Sequence, residues 1–210
     1  MARRTGKTRA RKPQQTGPEA TGIEPRIVDA ALALAAERRW REVALADIAQ
    51  RAGVTLVDVY RHCPSKAAAL AAFSRRIDAA VLAGAAGEDA DEAGPRDRLF
   101  DVIMRRLDAL APYKQGVASI MADLPADPIS ALAQQRPFLR SMAWMLEAAG
   151  LSGAGLAGAL RVRGLALVYL STLRVWLADD GADLARTMAA LDRSLKRAEA
   201  TIKLLPRAWR

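Results

Sequence analysis

The chain has one cysteine, Cys63, and one histidine, His62, in 210 residues. A lone cysteine excludes an internal disulfide, and the two residues together cannot assemble a zinc site of Cys and His ligands, so a reducing compartment is expected. Aromatic residues are scarce at 5% and alanine is abundant at 46 residues, a balance poor in the side chains that fill strands. An all-α chain follows as the expectation. The N-terminus lacks the apolar segment of a secretory signal, and the longest stretch without a charge, Ala148 to Leu160, is only 13 residues long and rich in glycine. No transmembrane segment is expected. No repeat with a period of 20 to 50 residues is visible.

Acidic residues are absent from the first 12 positions, which carry Arg3, Arg4, Lys7, Arg9, Arg11 and Lys12 and so hold +6 of the net +9. Residues 26–83 contribute +3 and residues 84–210 contribute +2, while residues 13–25 give −2. With Gly6, Pro13 and Pro18 and no apolar periodicity, the basic tract is expected to be disordered alone and attracted to polyanions. It reads either as a solvated tail or as an arm that enters a DNA minor groove through residues such as Arg3 and Arg4. An organellar presequence would also be arginine-rich, but this tract has no serine and no amphipathic apolar face.

Helical periodicity begins near Pro25, with Ile27, Ala31, Leu34 and Ala35 on one face and Trp40 following as an anchor. A short helix over 45–51 turns inward Leu45, Ile48 and Ala49. Ala52-Gly53-Val54 forms a tight turn, and Thr55 starts a third helix with Asp58 three residues later as its capping-box partner. Helix, three-residue turn with glycine, helix is helix-turn-helix spacing. Ser65 caps a fourth helix over 66–83 with Leu70, Phe73, Ile77 and Val81 inward. An acidic connection covers 84–95, and further helices are predicted at 96–111, 115–123, 129–134, 136–149, 154–179 and 182–204, punctuated by Pro112, Pro125, Pro128 and Pro137.

From Ile27 through Asp47-Ile48-Ala49-Gln50-Arg51-Ala52-Gly53-Val54-Thr55 to Tyr60-Arg61-His62-Cys63-Pro64-Ser65-Lys66, the chain resembles the N-terminal pattern of TetR-family regulators. The resemblance implies an all-α protein with a basic arm at 1–22, a three-helix DNA-binding head at 23–70 and a helical ligand-binding and dimerisation body at 71–205. It implies double-stranded operator DNA as a partner, a homodimer whose heads address successive major grooves, a cytoplasmic location and action as a repressor. Ligand in the body would change the separation of the heads through the 66–83 helix. By the same analogy Thr55, Tyr60 and Lys66 contact phosphates, and the helix with Leu56, Val57, Arg61 and His62 faces the groove. Three positions depart from the family pattern. Ala44 stands where a serine or threonine would cap the second helix, Val57 where glycine allows close approach, and Cys63 where an aromatic fills the core.

A second, shorter resemblance runs from Arg161 to Arg197, through Leu165-Ala166-Leu167-Val168-Tyr169-Leu170-Ser171-Thr172 and Asp179-Asp180. It is similar to the C-terminal part of lipid-binding accessory proteins of ubiquinone biosynthesis, which share the TetR-like fold. That resemblance implies, as the alternative, a lipid or quinone-precursor carrier without specific DNA binding.

Catalytic chemistry finds little support. His62 and Cys63 are neighbours on a helix, so their side chains diverge by roughly 100° and cannot pair as base and nucleophile. The glycines at 153, 155 and 158 follow a helical rather than a strand pattern, so Gly150 reads as a helix C-terminal residue and Ser152 as the next cap. Asp179, Asp180 and Asp183 read as capping residues. No enzyme, metal or cofactor is expected. Phe100, Met104, Met121, Trp144, Tyr169 and Trp176 read either as plain core or as the lining of a pocket for a hydrophobic small molecule or lipid. The 154–179 helix is apolar around much of its circumference and, with the 182–204 helix, predicts a four-helix bundle between the two subunits of a dimer.

Overall fold

The computed structural model describes residues 22–84 and 94–204. Arg3 and Arg4, the rest of the basic tract, most of the acidic connection and the side chain of Ile202 lie outside the described residues. Within them every regular element is helical. In chain order these are α1 (Ile23–Glu37), α2 (Leu45–Ala52), α3 (Leu56–His62), α4 (Lys66–Gly84), α5 (Pro95–Leu110), α6 (Lys114–Asp123), α7 (Pro128–Ala148), α8 (Gly155–Leu177) and α9 (Ala185–Leu204).

The apolar face predicted for α1 is buried, and Val28, Ala30 and Leu32 are buried with it. The excess has a reason: α1 packs on α2, α3 and α4 on one side and on α6 on another, so it needs apolar surface over more than one stripe. The α1–α6 crossing is close. A Cβ at Gly116 of α6 would stand 2.7 Å from the carbonyl oxygen of Leu32, which is backbone and cannot swing aside. Gly116→Ala is therefore expected to push the two helices apart and to lower stability by about 1–3 kcal/mol, read as a lower urea midpoint.

Trp40 is buried in the linker between α1 and α2 and ties this region to the body. Its backbone N–H donates to Ser119 Oγ at 3.2 Å, and the N–H of Arg41 donates to Asp123 Oδ2 at 2.8 Å, both acceptors on α6. Helix α4 begins in the head under the Ser65 cap, whose Oγ accepts the N–H of Ala68 at 3.0 Å. It then packs on α5 and α7 in the body. One rigid helix thus belongs to both parts.

Two helices were expected over 129–134 and 136–149, the second with Pro137 in its first turn; the structure shows the single helix α7 running through Pro137. Proline deprives the carbonyl four residues back of its N–H partner. Packing offsets that loss: Met142, Met145 and Leu146 are buried, and the Gln134 side chain donates to the carbonyl of Ala67 on α4 at 2.8 Å. The end of α7 is as predicted. Gly150 has φ +72°, Leu151 N–H donates to Leu146 O at 2.9 Å and Gly150 N–H to Glu147 O at 2.9 Å, the paired bonds of a Schellman stop. Ser152 Oγ accepts the N–H of Ala154, but the residue at the start of α8 is Ala154, which has no capping side chain.

The final two helices are shorter than expected at their facing ends because the 179–184 segment is spent on a cap. Asp179 is buried, and its Oδ2 accepts both the Thr187 N–H at 2.9 Å and the Thr187 hydroxyl at 2.7 Å. These bonds, the hydroxyl's first, hold its carboxyl below the usual carboxylate range. Among the described residues α8 alone is long and apolar enough to cross a membrane, with a mean hydropathy of 1.3. Its Val162, Leu165, Tyr169, Leu173 and Trp176 are buried inside the body, as in the core helix of a bundle.

Candidate nucleic-acid interface

Helix α2 is held in place from α1. Arg38 pairs with Asp47 and Arg51 with Glu37, and the Arg26 guanidinium donates to the carbonyls of Ala52 and Gly53 at the end of α2. A cation there also meets the negative end of the helix dipole. Ala44 offers no side-chain acceptor to the helix N–H groups, so only the reciprocal half of a capping box is present: Asp47 Oδ2 accepts the Ala44 N–H at 3.0 Å. That bond, followed by the Arg38 charge, lowers the Asp47 pKa. Gly53 ends α2 with φ +61°, and Val54 N–H reaches Ala49 O at 3.1 Å. A side chain at position 53 would be strained by that φ and would crowd the Arg26 guanidinium, with its Cβ at 3.1 Å.

The turn aims α3 outward. Thr55 and Asp58 form the predicted capping box: Asp58 N–H donates to Thr55 Oγ1 at 3.1 Å, Thr55 N–H donates to Asp58 Oδ2 at 3.0 Å, and the Thr55 hydroxyl donates to the same oxygen at 2.6 Å. The hydroxyl bond is the main cause of the lowered Asp58 pKa. Val59 and Cys63 point into the head beside Ile27 and Ile48. Enclosure raises the Cys63 thiol pKa, which keeps it protonated and unreactive.

The opposite face of α3 is open. Leu56, Val57, Tyr60, Arg61 and His62 are exposed, Tyr60 to 75%. Leu56 with Tyr60 and Val57 with Arg61 are each four residues apart, so they form two parallel rows on one face. Such a surface carries two branched apolar groups, a phenol, a guanidinium and an imidazole: thymine methyls, base edges and phosphates are what these groups recognise. Thr55 is exposed beside them, but its hydroxyl proton is committed to Asp58.

Lys66 is placed differently from the rest. Its ammonium donates to the carbonyl of Trp40 at 2.8 Å and lies 4.8 Å from the centre of the Trp40 ring. Burial pulls its pKa down. It lines a cleft of about 70 Å³ between head and body with Arg41, Leu70, Asp123 and Asp127, so in this conformation it supports the junction.

The six residues expected to line a ligand pocket are dispersed. Tyr169 and Trp176 are enclosed in the core, Phe100, Met104 and Met121 pack partly buried against it, and Trp144 is 49% exposed. None of the six lines the cleft around Lys66 or a second cleft that lies between α4 and α7. Sequence reading also missed a buried polar cluster. Arg106 of α5 pairs with Asp78 of α4, Ser141 of α7 donates to Asp78 Oδ1 at 2.6 Å, and the Arg106 guanidinium lies 5.4 Å from the centre of the Tyr169 ring. One signal was present: Arg106 interrupts the inward row Leu99, Ile103, Leu107, Leu110 of an otherwise amphipathic helix.

Comparison with known proteins agrees with this geometry. Residues 27–73 match the family model described as bacterial regulatory proteins, tetR family. Among solved structures, the TetR transcriptional regulator from Nitrosomonas europaea ATCC 19718 is similar at 26% identity, over 85% of this chain and 99% of that one, with a TM-score of 0.68. A TetR transcriptional regulator from Rhodococcus sp. RHA1 is similar at 22% identity over 84% and 94%, with a TM-score of 0.57. A tetR-family regulator from Streptomyces coelicolor gives 20% identity over 86% and 83%, with a TM-score of 0.53. A search of curated proteins by sequence finds no match. Residues 27–73 thus carry a helix-turn-helix domain that matches the tetR regulatory family model, and the described chain has the fold of solved TetR transcriptional regulators.

Proposed function

We propose that the protein is a cytoplasmic, homodimeric repressor that reads a two-fold symmetric operator with α3 and releases it when a small molecule binds the body. The observation that carries this reading is the α3 face itself: Leu56, Val57, Tyr60, Arg61 and His62 stand exposed on a helix whose other side is pinned into the head by Val59 and Cys63. Residues 23–70 act as the DNA-binding head and 71–205 as the regulatory and dimerising body. Arg3 and Arg4 are assigned to an arm that adds phosphate or minor-groove contacts, and Thr55 donates to a phosphate only if its hydroxyl leaves Asp58. Lys66 reaches DNA only if it leaves Trp40.

In this reading Arg61 supplies a guanidinium for a base edge or phosphate and Tyr60 a phenol for a phosphate oxygen. Leu56 and Val57 favour thymine methyls. Arg61→Ala is expected to weaken operator binding by roughly tenfold or more, and Tyr60→Phe to weaken it by a smaller factor. Fluorescence anisotropy on a labelled duplex taken from the region upstream of the gene reads both. Unchanged affinity in Arg61→Ala contradicts the assignment of α3.

Dimerisation is proposed through α8 and α9. Leu156, Leu160 and Leu167 are exposed along one face of α8, Met188 is exposed on α9, and Gly164 on the same side of α8 has nothing within 4 Å of where a Cβ would be. An apolar stripe with a small residue in its middle suits close approach of a second copy. For the ligand, an apolar part is retained from the sequence expectation, but the cleft between α4 and α7 is its proposed place rather than the six dispersed residues. The similar solved structures are transcriptional regulators, which favours DNA over lipid carriage as the function.

A further inference from the structure

The cleft between α4 and α7, about 220 Å³, is bounded by Ser74, Arg75 and Asp78 from α4 and by Arg136, Arg140 and Ser141 from α7. Its charge is lopsided. The one acid in the wall, Asp78, is already held by the buried Arg106 and by the Ser141 hydroxyl. Arg136 and Arg140 are four residues apart on one face of α7, exposed at the rim, and form no salt bridge among the described residues. Arg75 faces them from α4, with the half-buried Glu24 of α1 as its acceptor at 3.2 Å. Three guanidinium groups around one concavity repel one another unless an anion sits between them. Behind the floor, Arg106 is buried, with its Nε unpartnered among the described residues and a second nitrogen 3.4 Å from Ser74 Oγ. Ala71 and Pro137 supply apolar wall.

We infer that this cleft is the effector site and that it takes a small organic oxyanion, a carboxylate or a phosphate monoester on a compact apolar group, held by Arg75, Arg136 and Arg140. The inference rests on the reading above that the body takes a ligand, and it names that ligand's class. It also supplies a route to the head. Arg75 and Arg76 link α4 to α1, through Glu24 and through Asp29 at 2.7 Å. An anion in the cleft offers Arg75 an acceptor in place of Glu24. Occupancy thereby exchanges an α4–α1 tie for an α4–α7 tie and frees the head to turn against the body.

Isothermal titration calorimetry of the full chain without DNA tests this, with benzoate, phenylphosphate and benzylammonium as probes. Saturable binding of benzoate or phenylphosphate is expected, with no heat from benzylammonium; which anion binds more tightly separates carboxylate from phosphate. Arg136→Gln and Arg140→Gln should each weaken the anion at least tenfold, Arg96→Gln on α5, outside the cleft lining, should not, and Glu24→Gln should tighten it by releasing Arg75. Binding of neither anion, or equal binding in Arg136→Gln and Arg140→Gln, overturns the site. Anion binding that Glu24→Gln leaves unchanged overturns the route to the head. A protein that selects an operator yet takes up neither anion defeats this inference alone. One that binds the anion through these arginines yet selects no DNA defeats the regulator reading and leaves the site standing.

Discussion

Arg106→Met is expected to destabilise the protein by about 3–5 kcal/mol, because it leaves the carboxylate of Asp78 among buried neighbours with the Ser141 hydroxyl as its remaining donor. Methionine fills much of the space left by the arginine stem, so packing loss is a minor part of the effect. The cost comes from the uncompensated charge. Arg106→Met combined with Asp78→Leu should recover most of the lost stability, since exchanging a buried pair for apolar groups of similar volume is often neutral or favourable. Urea denaturation of the two single variants and the double variant reads the coupling directly. If the double variant is no more stable than Arg106→Met, the pair is not the unit the structure shows. The same cycle bears on function. Arg106 is incompletely satisfied, with Nε unpartnered among the described residues, and a pair whose apolar replacement is tolerated is not retained for stability alone.

Leu167→Glu is expected to give a monomer in sedimentation velocity at micromolar concentration. Leu167 is 72% exposed on α8, in line with Leu156 and Leu160, while its helix neighbours Leu165, Ala166, Val168 and Tyr169 are buried in the body. A carboxylate at this position costs the isolated chain little because it faces water there. Between two copies it would meet its own symmetry mate in an apolar seam. Operator affinity should then fall by roughly a hundredfold or more, because two linked heads gain effective concentration that separate heads lack. A dimer that survives Leu167→Glu places the subunit interface elsewhere.

Much of the head was legible because its signals are local. Gly53 at φ +61°, the Thr55–Asp58 box and the Ser65 cap each join residues within a few positions, and each is present as predicted. The Ala44 departure was legible as a lost cap, whereas the half of the box that remains, the Ala44 N–H donating to Asp47, was not. The body was less legible because its decisive contacts are distant in the chain. Asp78, Arg106 and Ser141 come from three helices, and no periodicity links them. Pro137 misled for a related reason: the local cost of a proline was correctly read, while the packing that carries α7 through it comes from α4 and α8. Large apolar residues such as Tyr169 and Trp176 fit core and pocket equally well in sequence; burial places both in the core. The arginines at 136 and 140 drew no attention there, since exposed charge on a helix is ordinary until a cleft and a third arginine face it.

The central claim is that α3 reads sequence, and selection from a pool of random duplexes at fixed salt, using the full chain, tests it most directly. The account predicts enrichment of an inverted repeat with half-sites about one helical turn apart, rich in thymine where Leu56 and Val57 meet the groove, and loss of that enrichment in Arg61→Ala. Binding that enriches no sequence, and that falls away with salt equally for every duplex, would show an electrostatic contact alone and contradict the account.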